Sequence, residues 1–342
     1  MGKTIESKEL VHKVFKGEGA PRIPIYFLLA DVEAESKVND VLGIPCWFKA
    51  FDLFFEQGGP FRRGETTFSE WAEKLDLDMY DWPPIETLRE EAITKVEQIV
   101  NRFRDKFTQV EFLGPTEYSE ILCAPGGKQV KDVSLIRHHF DFAVLTKIAS
   151  EKADDLHRRL FEIVKDVAGG VAECDGVDSI RIADDFCDYR GPLYHSSFLE
   201  RSILPRQIEL ARMIKRHGKY AVLHADGDIT AYLKRLSSYY DAFHPLDLRP
   251  KPTLRDAKAW AEDVGRLRRN YPDKVFITGV PIDLLCSREI APAELVDAVR
   301  YFLSKVGREK LILANTHRPY PGWALQDFID KVQAVRNLIA FS

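Results

Sequence analysis

A chain of 342 residues, 45% hydrophobic and 30% charged, has the composition of a soluble globular protein and the length for one barrel or two ordinary domains. Its acids and bases are well mixed and leave a net charge of only -4, which excludes the basic footprint of a nucleic-acid-binding protein. No window approaches the ~20 apolar residues of a membrane span, and the first residues carry Lys3, Glu6, Lys8 and Glu9 instead of an apolar signal core.

Cys46, Cys123, Cys174, Cys187 and Cys286 are scattered without a CxxC pair, so a cytoplasmic protein without a disulfide framework is expected. Residues 1–20 read as a helical or loosely ordered lead-in. Ile23 to Ala30 is an apolar run suited to a first buried strand. Residues 31–108 read as an irregular excursion within a single domain spanning 1–342. This stretch is rich in aromatics, Trp47, Trp71 and Trp82 among them, and is broken at Gly58-Gly59-Pro60; such a segment suits a pocket cover. Glu86 to Phe107 reads as a helix within it.

From residue 109 a regular rhythm sets in. Strands are expected at Val110–Leu113, Ser179–Ala183, Tyr220–Leu223, Ala242–Leu246, Val275–Gly279 and Leu311–Ala314. Between them, helices are expected over Leu135–Ala168, Ser197–His217, Ile229–Ser238, Leu254–Arg269 and Ala291–Val306, with Trp323–Leu338 closing the chain. Short apolar strands alternating with helices imply a parallel sheet covered by helices. Polar residues follow almost every strand rather than gathering at one switch point. That is the arrangement of a (β/α)8 barrel, whose chemistry sits at the C-terminal ends of its strands.

The most informative strand end is Lys219-Tyr220-Ala221-Val222-Leu223-His224-Ala225-Asp226-Gly227-Asp228. Successive strand residues point to opposite faces, so His224 and Asp226 share one face. A histidine and a carboxylate placed so form part of a metal site or an acid–base pair. A hydrogen-bonded turn that caps the next helix is the competing explanation.

Five segments, in order, resemble the uroporphyrinogen decarboxylase superfamily. They are Asp178-Ser179-Ile180-Arg181-Ile182-Ala183-Asp184-Asp185-Phe186, Phe198-Leu199 with Ile203-Leu204-Pro205, His217-Gly218-Lys219 with Leu223-His224-Ala225-Asp226-Gly227-Asp228-Ile229, Ile277-Thr278-Gly279-Val280, and Ile312-Leu313-Ala314-Asn315-Thr316-His317. The resemblance covers roughly residues 110–340 and implies a (β/α)8 barrel. It embraces porphyrinogen decarboxylases, which need no metal, and zinc-dependent methyltransferases that exchange methyl groups with a corrinoid. The decarboxylases carry arginines after the first strand. Here that position reads Phe27-Leu28-Leu29-Ala30-Asp31-Val32-Glu33-Ala34-Glu35, whose three acids repel a substrate with eight carboxylates, and decarboxylation is disfavoured.

The methyltransferases place a His-x-Cys after the strand matching Tyr220–Leu223 and a final Cys after the last strand. The corresponding residues here are His224, Asp226 and His317, a two-histidine, one-carboxylate set that suits Zn2+ and also Fe2+ or Mn2+. Harder N/O ligands favour an oxygen ligand over a thiol. The resemblance therefore implies an enzyme that removes a methyl group from the oxygen of a small methoxylated compound and passes it to a corrinoid on a partner protein. A metal-dependent lyase or hydrolase without corrinoid is one alternative. A barrel that only binds a small ligand or a corrinoid protein is another. A homodimer is expected.

Further candidates follow from position at strand ends. Asp184 is preferred over Asp185 as a catalytic acid, with Glu117 as a base or fourth ligand and His244 as a substrate or metal contact. Tyr189, Arg190, Asp283 and Arg318 are candidates for holding an anionic or polar substrate group, with Trp47 and Trp82 lining its pocket.

Overall fold

The computed structural model describes residues 6–29, 31–48, 67–79, 82–123, 139–319 and 325–340. Its main sheet has eight strands: β1 (Ile25–Tyr26), β2 (Val41–Pro45), β3 (Phe107–Leu113), β4 (Ser179–Ala183), β5 (Tyr220–His224), β6 (Ala242–His244), β7 (Val275–Val280) and β8 (Leu311–Asn315). Every paired neighbour is parallel, and β8 returns to β1 with Ala314 opposite Tyr26. At the remaining seam the Asp40 N–H donates to the Ile25 carbonyl at 2.9 Å, so the barrel is nearly closed. Helices run between the strands on the outside, giving the expected (β/α)8 architecture.

Strand parity sorts the side chains. Val110 and Phe112 of β3 and Ile180 and Ile182 of β4 join the core between sheet and helices, where Ile85–Arg102 contributes Leu88, Ala92, Val96 and Val100 at four-residue spacing. Alternate residues face the barrel axis. Its lower part is apolar, with Phe107, Val222, Val275 and Ile312 packed against Val11, Val14 and Phe15. Those last three belong to the helix Ser7–Lys16, which closes the N-terminal end of the barrel. Gly17 ends that helix at φ 75, a left-handed conformation that glycine adopts without a Cβ penalty. The lead-in is therefore a barrel plug.

Residues 31–108 differ from the expected excursion. They contain β2 and the helices Val32–Val38, Phe68–Lys74 and Ile85–Arg102. Val41–Pro45 escapes a pattern reading because its five residues include a glycine and a proline. Gly43 is required where it stands: a Cβ there would lie 2.9 Å from Glu111 Oε1 and 3.2 Å from Glu35 Oε2. The aromatic run Phe51–Phe55 and Gly58-Gly59-Pro60 lie outside the described residues. Of the described helices, none is long and apolar enough to cross a membrane.

Candidate metal centre at the barrel mouth

Above the apolar floor the axis-facing residues turn polar. Glu111 of β3 accepts from Arg181 of β4 at 2.6 Å, from the Tyr26 hydroxyl of β1, and from Arg318 in the loop after β8. Burial raises a carboxyl, but the two guanidiniums override it and hold Glu111 below the usual carboxylate range. Next to it Glu35 accepts from the N–H groups of Leu29, at 2.9 Å, and Gly43, at 3.1 Å. Burial, with the Glu111 charge, pushes Glu35 up to about 7.

Glu35 gives a pH dependence. A carboxyl raised in the folded state adds stability below its ordinary value of 4.5 and loses that contribution as the pH climbs through about 7. By this linkage the gap in unfolding free energy between wild type and Glu35→Gln should move by about 2 kcal/mol in the variant's favour from about pH 5.5 to about pH 8. Urea denaturation at both pH values measures it, and a constant gap would show that Glu35 titrates alike in both states.

Next around the barrel stand two histidines whose hydrogen bonds define their tautomers. Nε2 of His244 lies 3.1 Å from the Asn315 carbonyl, which only accepts, so Nε2 carries the hydrogen. Burial pushes both His244 and His224 well below the usual histidine range, so each imidazole is neutral. Nδ1 of His244 is then an acceptor, 2.6 Å from Nδ1 of His224, which donates. His224 is left with its lone pair on Nε2, 3.8 Å from Asp226 Oδ1. His317 arrives at a matching state by another route: Nδ1 donates to the Arg318 carbonyl at 2.8 Å, leaving the lone pair on Nε2, 4.0 Å from Asp226 Oδ2. Asn315 donates to the His317 carbonyl at 2.8 Å and fixes that loop.

Two nitrogen lone pairs thus bracket one carboxylate. Asp185 adds a second carboxylate: its Oδ1 accepts the Asp226 N–H at 2.7 Å, and Asp185, His224 and Asp226 offer ligand atoms within 4.8 Å of one another. A donor set of neutral imidazoles and carboxylates fits a divalent cation. The Arg318 carbonyl on the outer ring nitrogen of His317 is the usual support for a metal-binding histidine, and His244 takes that place for His224.

Asp185 occupies the place expected of Asp184. Asp184 faces outward like Ile180 and Ile182, and is buried where Thr116 Oγ1 donates at 2.8 Å, Glu117 N–H at 3.0 Å, and Gln207 from its side-chain amide. Thr116 in turn lies 3.1 Å from His157 Nε2, and Arg206 lies 2.8 Å from His157 Nδ1. Parity counted from the inward Arg181 would have selected Asp185. Asp184→Ala should therefore lower the unfolding free energy by roughly 3 kcal/mol, because it orphans buried donors, yet leave zinc content intact. Asp185→Ala should weaken zinc binding as well as cost some stability, since it strips the Asp226 N–H of its acceptor. Zinc loss in Asp184→Ala with an unchanged denaturation midpoint would overturn this assignment.

Glu117 stands in the first turn of the helix Pro115–Cys123, with its carboxyl hydrogen-bonded to Asp185. Burial, then the Asp185 charge, raise it well above the usual carboxylate range. The Tyr189 hydroxyl donates to Asp247 Oδ2 at 2.8 Å, and Lys251 pairs with the other oxygen of Asp247. Lys251, only 1% exposed and pulled down by burial to about 8, carried no sequence signal: it lies in a loop beside prolines and arginine. Asp283 is exposed in the short helix Ile282–Cys286, within the electrostatic reach of Lys251. Arg190 is exposed, and its N–H donates to Asp188. Trp47 is 54% exposed, with its ring 5.8 Å from the Arg318 guanidinium. Trp82 is engaged elsewhere: its indole donates to the Leu77 carbonyl at 2.9 Å, beside Arg159 of the outer helix Ser150–Ala172.

No family model matches the chain, and no curated protein does. Among solved structures, it is similar to a B12-independent methionine synthase from Shewanella sp. W3-18-1, with 13% identity and a TM-score of 0.39, covering 73% of this chain and 66% of that one. It thus spans just under two thirds of the synthase's length. An endo-beta-1,4-mannanase from Cellulomonas fimi (14% identity, TM-score 0.44, 97% and 74% covered) and a beta-glucosidase from Pyrococcus furiosus (11%, 0.45, 89% and 82%) are similar to the same degree.

Proposed function

We propose that the protein is a metal-dependent barrel enzyme whose divalent ion is held by His224, Asp226 and His317, with Asp185 alongside. The observation that carries this reading is the pair of fixed tautomers, which leave the Nε2 lone pairs of His224 and His317 on either side of the Asp226 carboxylate. A divalent ion bound there supplies Lewis acidity to an oxygen of the substrate. Glu117, raised by burial and hydrogen-bonded to Asp185, is the candidate general acid. His244 orients His224 and takes no part in the bond changes.

Within that class, the resemblance to the uroporphyrinogen decarboxylase superfamily favours demethylation of a methoxylated compound, with a corrinoid on a separate protein as methyl acceptor and a homodimer as the working unit. The three acids after β1, expected to repel a substrate with many carboxylates, are instead each engaged within the fold, Glu35 by the Leu29 and Gly43 N–H groups, so the case against porphyrinogen decarboxylation rests on the lack of arginine in that segment. Asp31 caps the helix Val32–Val38 by accepting from Glu33 and Ala34, and Glu33 pairs with Arg102. Zinc-loaded protein should transfer methyl groups from a methoxylated compound to added corrinoid protein, with turnover lost on chelation. Metal-dependent turnover of an ester or lyase substrate with no methyl transfer would place the protein among hydrolases or lyases.

A further inference from the structure

The N-terminal end of the barrel, opposite the candidate metal centre, carries a second concave site. A groove of about 320 Å³ opens there beside Ile25 and Asp40, at the seam where β1 and β2 form the two ends of the sheet order. Asp40 is the only acid among its described lining residues, and it is fully engaged within the fold. The Arg22 guanidinium grips both of its oxygens at 2.6 Å, while Ser7 Oγ donates at 2.8 Å and the Ile25 N–H at 3.0 Å. Arg22 and Asp40 therefore cancel.

Three more cations, Lys37, Lys106 and Arg336, line the same groove, and none of them has a carboxylate partner among the described residues. Lys106 donates to the Asn39 carbonyl at 2.8 Å and Arg336 to Gln333 Oε1 at 3.4 Å, both neutral acceptors. Lys106 and Arg336 are half-buried; Lys37 is exposed. Lys37 lies in the last turn of the helix Val32–Val38, where the helix dipole already favours a cation. That accounts for one charge of the three. Lys106 leads into β3 and Arg336 belongs to the closing helix Leu325–Ala340, so separate elements bring them to one space. Like charges gathered in a groove focus their field on it and draw an anion in.

We propose that this groove binds a phosphoryl group, carried by a small phosphorylated molecule or present as free phosphate. One guanidinium fork is enough for a carboxylate. Three cations from three elements suit a phosphoryl group, with about two negative charges and three acceptor oxygens. Bound there, it ties the closing helix to the segments that lead into β2 and β3, and stabilises the folded chain by mass action. The proposal is independent of the metal centre at the other end of the barrel.

Calorimetric titration with inorganic phosphate, pyrophosphate and glycerol 3-phosphate, at an ionic strength held constant with NaCl, tests it. Pyrophosphate should saturate one site per chain and raise the thermal midpoint. Tighter binding of glycerol 3-phosphate than of phosphate would mark an ester as the ligand, and the reverse order free phosphate. Lys37→Gln/Arg336→Gln should weaken pyrophosphate by about 10-fold or more, since it removes two of the three charges. Arg212→Gln/Arg216→Gln, on the outer helix Leu204–Arg216, and His317→Ala, at the mouth, should bind as wild type does. Lys37→Gln alone, at an exposed position, serves if the double variant does not fold. Absence of saturable binding of all three probes, undiminished binding in the folded groove variant, or loss of binding in His317→Ala would each overturn the proposal.

Discussion

His224→Ala is expected to bind zinc at least 100-fold more weakly than wild type, and His317→Ala to show a comparable loss. Each change removes one of the two imidazole nitrogens that face the Asp226 carboxylate. His244→Ala is expected to cost less, about 10- to 100-fold, because His244 only fixes the tautomer of His224 by accepting its Nδ1–H. This ordering is the informative part. A metal held by a chance cluster of acids would be indifferent to His244, which lies deeper and is fully buried. Zinc titration by calorimetry and elemental analysis after dialysis measures all three. Wild-type metal content in both His224→Ala and His317→Ala would remove the site.

Glu111→Ala is expected to lower the unfolding free energy by about 3–5 kcal/mol, the usual consequence of stripping one partner from a buried ion pair. The change leaves Arg181, Arg318 and the Tyr26 hydroxyl inside the barrel without their common acceptor. Glu111→Gln should fall between wild type and Glu111→Ala, since an amide oxygen satisfies one donor but neutralises neither cation. Urea denaturation followed by circular dichroism reads the difference. A loss below about 1 kcal/mol would mean that water compensates the guanidiniums once Glu111 is removed.

How far the strands could be read depended on their surroundings. Ser179–Ala183 and Leu311–Asn315 were legible because they are short apolar runs between strong helices. β2 was not, since a glycine required by the crowding of Tyr26, Glu111 and Glu35 interrupts its apolar pattern. The helix before β5 was expected over Ser197–His217 with a bend or restart at Pro205; it passes through a π-turn at Leu199–Ile203 and continues from Leu204, with Pro205 in its first turn. The expected strand at Ala242–Leu246 stops at His244, whose imidazole is recruited by Asn315 and His224.

By itself, the sequence determined the alternation of strand and helix and the common face of His224 and Asp226, because both follow from backbone periodicity. It also placed His244 and His317 at strand ends. Tertiary structure alone decided which carboxylates join them. Asp184 and Asp185 are adjacent and chemically alike, and only the facing of β4 sends one to the helix layer and the other to the mouth. It also decided the protonation of the histidines, which depends on carbonyls of Asn315 and Arg318 brought in from the far end of the chain. The charge layer of Glu111, Arg181 and Arg318 is invisible to local patterning for the same reason: its members lie on three strands or loops that only barrel closure brings together.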